Sequence, residues 1–425
     1  FQKLGFYPAD ILLPKDADMT KWAVVACDQY TSQPEYWERV DQYVGDAPST
    51  LRLILPESKL ESDGVDQEIQ KIHATMEQYL QEERLRPVED AMLFVERKLA
   101  NGKTRLGLLG KLDLEEYDYS KGSGTPIRAT EGTVLSRIPP RMKVREGAPI
   151  ELPHIMVLID DPDKKIIEPL TKDVNRKQMS KVYSVTLMEN GGRITGSLLS
   201  KFQAQKVQEA LAQLGDQKRF EEFYHAPGKP VLTYAMGDGN HSLATAKECY
   251  ERQKRITPQD QWETLPSRYA LAELVNLHDD SLEFEPIHRV VFGAEPAQVL
   301  SALRMAYPDA REGEGDGHVI RYLYGNARGA LTVPDPAAQL AVGTLQSFLD
   351  RWMEGRSGVS LDYIHGAEVV EELTRRPKAI GFLLPPMKKE ELFPTVIHDG
   401  VLPRKTFSMG EAHDKRFYLE ARKIK

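Results

Sequence analysis

Residues 237–242, Gly-Asp-Gly-Asn-His-Ser, gather the side chains best suited to chemistry in this 425-residue chain. Glycine lets the backbone approach a ligand closely. The carboxylate of Asp238 could hold a metal ion or orient a hydroxyl. The imidazole of His241 could contact a phosphate or move a proton. The flanking residues say how this set would be presented. Val231 to Met236 is apolar, β-branched and aromatic, opened by Pro230, and reads as a strand. Ser242 to Glu248 has high helix propensity, with Asn240 or Ser242 as the N-cap. A strand, a glycine turn and a helix start bring free N–H groups and the positive helix end to one point, which suits a phosphate. Gly, Asp and Asn also fill such connections for turn geometry alone. The stretch matches neither GxxxxGK[ST] nor GxGxxG.

Phosphoryl transfer needs phosphate clamps, a metal, an in-line nucleophile and often a carboxylate base. The sequence offers each type. Gly237, Gly239, Asn240, His241 and Ser242 would form the cradle. Asp238 would ligate a magnesium ion that bridges phosphates. Asp28, which follows the apolar run Trp22–Ala26, is preferred as base over Glu35, a residue that also suits the first turn of a helix. Asp28, Asp238 and His241 are therefore the catalytic set. Arg128 and Glu131 form a polar pair after the glycine-rich loop 121–126. They would bind substrate or make a structural salt bridge. His288 and Arg289 precede the apolar Val290-Val291 and are either substrate-binding or a buried polar pair. Lys405 and Thr406 carry the same two readings, as cation and hydroxyl near a phosphate or as part of a surface strand.

Five short segments, in order, resemble one family. DGNHSLATAK (238–247) is similar to the D-G-H-H-R…A motif of the DUF1015 family. ACDQY (26–30) resembles its early P-Y-D, IRATEGT (127–133) its I-R-P-H-E-x-T, PIHR (286–289) its P-x-H-R, and LPRKT (402–406) its P-x-K-S-T. That family is distantly similar to the ParB/sulfiredoxin-like fold group, which includes an archaeal free-serine kinase. The resemblance implies an α+β nucleotide-binding core and a phosphotransferase. It would use ATP or ADP, with Mg2+, to phosphorylate a small hydroxyl compound such as free serine. A non-catalytic nucleotide-binding regulatory protein and a nucleotide hydrolase need the same cradle and stay open. The departures matter. Asn240 stands for the family's first His, Ser242 for its Arg, and Thr130 for the His of I-R-P-H-E. Lys405 meets Thr406 with no Ser between them. A serine cannot replace the charge of an arginine that clamps phosphate. Arg128, Lys247, Arg404 and Lys405 are the cations considered as substitutes. Apart from the basic run Arg137–Arg145, Arg404-Lys405 is the richest, so the C-terminal segment is expected to fold back onto the turn.

Composition sets the bounds. The length allows two or three domains, with a soft division into 1–275 and 276–425. Acidic residues outnumber basic ones, 64 to 56, giving a formal charge of −8. This argues against a general nucleic-acid binder. No apolar run approaches a membrane span, and the start lacks the pattern of a signal peptide. Only Cys27 and Cys249 occur, so a disulfide framework and a four-thiolate metal site are excluded. Together these point to a cytoplasmic protein with a small-molecule substrate and no nucleic-acid or membrane partner, homo-oligomerisation being left open.

The elements that must carry these residues interleave irregularly, which predicts an α+β architecture of mixed sheets with interspersed helices. Helices are expected over 34–43, 62–85, 198–215, 296–306, 343–353 and 366–374. A hairpin is expected from 91–97 and 104–112 around Asn101-Gly102, and a second from 319–324 and 330–333. Strands are expected over 50–55, 154–159 and 379–384, while 268–277 fits either helix or strand. Residues 139–149 carry three prolines and are read as a loop.

Overall fold

Successive residues from Met92 to Val95 point into two different cores. Leu93 and Val95 join one apolar cluster with Leu109 and Leu271, whereas Met92 and Phe94 join another with Leu108, Ala270 and Ala272. This is the two-residue period of strands covered on both faces. The computed structural model describes residues 4–425 and is an α+β protein of mixed sheets with interleaved helices. The chain forms two compact units. The first runs to Leu282 and also takes Gly410–Lys425; the second is Glu283–Met409. The residues after Met409 thus return to the first unit, across the sequence-based division at 275/276.

The first unit is built on a ten-stranded mixed sheet. Its order is Ser180–Thr186, Arg193–Leu198, Leu93–Lys98, Thr104–Asp113, Tyr269–Asn276, Met156–Ile159, Tyr234–Asp238, Ile127–Arg128, Tyr117–Asp118, with Phe6–Tyr7 pairing Thr104–Asp113. Helices Pro34–Val44 and Val65–Gln81 cover one face through Trp37, Val40, Ile69 and Met76. Helices Lys201–Leu214 and Asn240–Arg255 cover the other through Val207, Leu211, Leu243 and Tyr250. The first of that pair starts with a reciprocal capping box between Ser200 and Gln203. The strand Tyr234–Asp238 lies antiparallel to Met156–Ile159 and parallel to Ile127–Arg128. The second unit has a seven-stranded sheet ordered Arg311–Glu312, Ala327–Val333, His318–Tyr324, Ala379–Leu383, Phe284–Phe292, Ser360–His365, with Phe407–Met409 on Phe284–Phe292.

Three local expectations change. Residues 50–53 form a 3₁₀ turn rather than a strand: Ser49 caps it by accepting from Leu51 N–H, and the Thr50 hydroxyl donates to the buried Trp22 carbonyl. Residues Ile138–Glu146 form a helix rather than a loop. Pro139 and Pro140 fall in its first turn, where the missing N–H groups have no intrahelical partner to lose. The ambiguous 268–277 segment is the strand Tyr269–Asn276, buried along nearly its whole length.

Candidate functional site

The strand Tyr234–Asp238 stops because Gly239 takes a left-handed backbone, φ +81°, and the helix Asn240–Arg255 begins at the next residue. Gly239 is thus the N-cap position, in place of Asn240 or Ser242, and no side chain caps the helix. Its first N–H groups keep the capacity to bind an acceptor from outside. A Cβ on Gly239 would lie 3.2 Å from Ile155 Cα, so the turn packs closely on the backbone at Ile155. The helix is held from behind by Leu243, Ala244, Ala246 and Tyr250, all fully buried. Asn240 donates from Nδ2 to Thr133 Oγ1 at 3.2 Å, while its Oδ1 is buried with no protein partner. His241 Nε2 accepts the Val134 N–H at 3.1 Å. Burial, with Arg137 and Arg141 nearby, pushes the His241 imidazole down to about 4, so it is neutral at neutral pH.

Asp238 closes the strand. Its Oδ1 accepts the Gly239 N–H at 2.9 Å, and its Oδ2 lies 3.7 Å from Lys415 Nζ. Burial raises the carboxyl above its ordinary range and Lys415 opposes this, while the charge of Asp28 pushes in the same direction as burial. The charge of Asp28, the other carboxylate expected from sequence to act in catalysis, thus reaches Asp238. Asp28 is set by the chain around it. Val24–Val25 pairs with Phe417–Tyr418, the Cys27 N–H donates to Tyr418 Oη at 3.0 Å, and the Cys27 carbonyl accepts from Glu57 N–H. Arg141, on the helix misread as a loop, makes an ion pair with Glu57 and is also within reach of the Asp28 charge. Cys27 itself is pushed up to about 12 by burial, which suits a structural thiol rather than a nucleophile.

Sequence reasoning missed His154. Its Nε2 lies 2.9 Å from Ser242 Oγ and its Nδ1 2.8 Å from Tyr418 Oη. The signal was faint: one histidine before an apolar strand, with a tyrosine 264 positions away. The same long separation hid Lys415. The expectation placed Arg404-Lys405 at the turn; these residues belong to the second unit, and it is Lys415, within 410–425, that lies beside Asp238. The segment is pinned by buried arginines. Arg97 donates to the carbonyls of Gly191, His413 and Lys415, Arg105 to that of Asp414, and Arg416 to Glu273 and Glu420.

The other expected site residues have packing partners. Arg128 is buried beside the signature strand, where it donates to the carbonyls of Thr125, Pro230 and Val231. Glu131 is exposed on the loop that follows. Thr130, at the position of the family's histidine, donates to the Met236 carbonyl. Lys247 bonds to the Leu114 carbonyl and pairs with Glu251. In the second unit, His288 Nδ1 accepts the Leu384 N–H. Arg289 is fully buried and donates to Gln346 Oε1 and to the carbonyls of Ile287, Arg404 and Lys405. Arg404 pairs with Asp350, Lys405 takes φ +55°, and the Thr406 hydroxyl donates to the Pro403 carbonyl. Buried Arg289 thus ties the backbone of 404–405 to the strand Phe284–Phe292.

Residues 7–352 match the family described as protein of unknown function DUF1015. The chain belongs to the DUF1015 family. No curated protein matches it. Among solved structures it is similar to a free serine kinase in complex with AMP, at 13% identity and TM-score 0.36, covering 74% of this chain and 91% of that one. A free serine kinase variant in complex with ADP gives 12% identity and TM-score 0.37 over the same shares. A conserved hypothetical protein from Pyrococcus furiosus gives 13% and 0.34, covering 72% and 92%. C-terminally truncated SbnI from Staphylococcus aureus gives 10% and 0.34, covering 71% and 82%. No helix among the described residues is long and apolar enough to cross a membrane.

Proposed function

We propose that the turn 237–242 binds the phosphates of ATP or ADP and that this DUF1015 protein transfers a phosphoryl group to a small hydroxyl compound, free serine among the acceptors. One observation carries the reading: an uncapped helix start follows Asp238, whose Oδ2 lies 3.7 Å from Lys415 Nζ. Asp28, Arg137 and Arg141 all act on His241, and Asp28 and Lys415 act on Asp238. The cations answer the loss of the family's arginine at Ser242, from the tail and from the 138–146 helix rather than from Arg404-Lys405.

In this reading the N–H groups at the helix start hold phosphate oxygens. Arg137, Arg141 and Lys415 balance their charge. Asp28 accepts the proton of the attacking hydroxyl. Magnesium fits Asp238 on chemical grounds, since this ion usually takes one or two carboxylates plus phosphate oxygens. Among the described residues no group of three or more His, Cys, Asp or Glu could hold a metal alone. The protein's part would be a single carboxylate whose negative charge Lys415 favours. Bound metal would supply charge neutralisation at the phosphates.

The test is incubation of the protein with ATP or ADP, Mg2+ and a panel of hydroxy amino acids, with mass-spectrometric search for a phosphorylated acceptor. Phosphorylated product is expected, and Asp28→Asn should slow its formation by roughly a hundredfold or more while the nucleotide still binds. Free phosphate released without acceptor would make the protein a hydrolase. Nucleotide binding with neither product would make it a binding protein.

A further inference from the structure

Ser242 lies in the first turn of the helix Asn240–Arg255 without capping it. Serine and threonine within helices commonly bond backbone groups, as Thr245 does by donating to the His241 carbonyl at 2.7 Å. Ser242 instead faces an imidazole nitrogen, His154 Nε2, at 2.9 Å. That imidazole is fixed. It is 7% exposed, and its other nitrogen meets Tyr418 Oη at 2.8 Å with the two rings edge to face. The backbone before it is fixed too, because the Pro153 carbonyl accepts from the buried Arg416. Tyr418 is held neutral by burial. Its oxygen receives the Cys27 N–H at 3.0 Å. In the tautomer that donates its Nδ1–H to Tyr418 Oη, His154 keeps the Nε2 lone pair for the serine hydroxyl. A nucleophile, a base within hydrogen-bond reach and a third group that orients the base make the arrangement that activates a hydroxyl.

We infer that Ser242 is itself a phosphoryl acceptor, with His154 as its base and Tyr418 as the residue that orients His154. The inference rests on the reading of 237–242 as a phosphate-binding turn, and it adds a covalent site on the protein. Ser242 Oγ attacks the terminal phosphorus of a nucleoside polyphosphate, and an Oγ–P bond forms. The bond from that phosphorus to the bridging oxygen breaks, and its electron pair leaves on the shortened nucleotide. The hydroxyl proton moves to His154 Nε2. Ser242 is partly exposed while His154 is buried, so the hydroxyl can meet a ligand that the base does not touch. Phosphoserine at 242 would put fixed negative charge at the helix start.

The full chain is incubated separately with ATP, with ADP and with acetyl phosphate, a phosphoryl donor that lacks a nucleoside. Modified peptides are then mapped, and nucleotide binding is followed in parallel by calorimetry. One phosphoryl group on Ser242 is expected. His154→Gln should slow labelling roughly a hundredfold, and Ser242→Ala should abolish it. Nucleotide that binds without labelling Ser242, or labels another residue, overturns this inference and leaves the phosphate-binding reading standing. Labelling of Ser242 by acetyl phosphate with no nucleotide binding supports the nucleophile and overturns the nucleotide. Absence of both binding and labelling removes both.

Discussion

At the scale of single residues, the site is a set of charges whose balance is set by burial. His241 has a folded pKa of about 4 against an ordinary 6.5. Its neutral form favours the fold, so the unfolded chain binds more protons between those values and stability rises with pH across that window. Acid should therefore weaken the first unit as pH falls below about 6.5, and His241→Gln should flatten that part of a stability–pH profile, read by thermal melts. A polyphosphate beside the ring would favour its protonated form. Nucleotide binding near pH 5 should then take up a proton, measurable by calorimetry in buffers of different ionisation enthalpy. Asp238 has the opposite sense. Its carboxyl is raised chiefly by burial, so protonation favours the fold, and that contribution is lost as pH rises through the raised value. Asp238→Asn should raise the melting temperature at neutral pH while weakening magnesium-dependent nucleotide binding. Equal, small effects on binding from Asp238→Asn and Asp28→Asn would count against the shared site.

At the scale of elements, the strand–turn–helix unit was legible because its residues state their own geometry. Gly239 is the clearest case: at φ +81° any side chain is strained, and a Cβ would lie 3.2 Å from Ile155 Cα. Gly239→Ala should cost about 1–2 kcal/mol in backbone strain alone, read by denaturant unfolding, and should distort the helix start enough to weaken phosphate binding. The 138–146 helix was illegible for a local reason. Its prolines break helices in the interior but not in the first turn, and only the structure says where the first turn begins. That misreading hid Arg141 as a site cation. The hairpin Ser180–Thr186/Arg193–Leu198 was also missed. Its alternation is broken by exposed charge at Lys181 and a register shift between Lys181 and Tyr183.

At the scale of the whole molecule, the mixed α+β class was readable from the irregular succession of elements, but the path of the chain was not. Lys415, Tyr418 and His154 reach the turn across long separations in sequence, and no local pattern encodes such pairings. The segment 410–425 is core rather than appendage. Phe417, Tyr418, Leu419 and Ala421 are buried, and Arg416 pairs with Glu273 and Glu420 inside the unit. Deleting 410–425 should unfold the first unit rather than merely lower ligand affinity. Arg416→Ala alone should cost about 3–5 kcal/mol, because it leaves buried carboxylates unpaired. Denaturant unfolding of the two variants checks both. A truncated chain that still unfolds cooperatively at wild-type denaturant would show the segment to be dispensable.

The central claim is that phosphates sit on the turn 237–242, and a structure of the protein with bound ADP or ATP tests it most directly. The account predicts phosphate oxygens within about 2.7–3.2 Å of backbone N–H groups at the helix start, on the side where Asp238, Arg141 and Lys415 converge. Phosphates lying more than about 8 Å from His241, beyond the reach of a side chain and one bridging water, would contradict it.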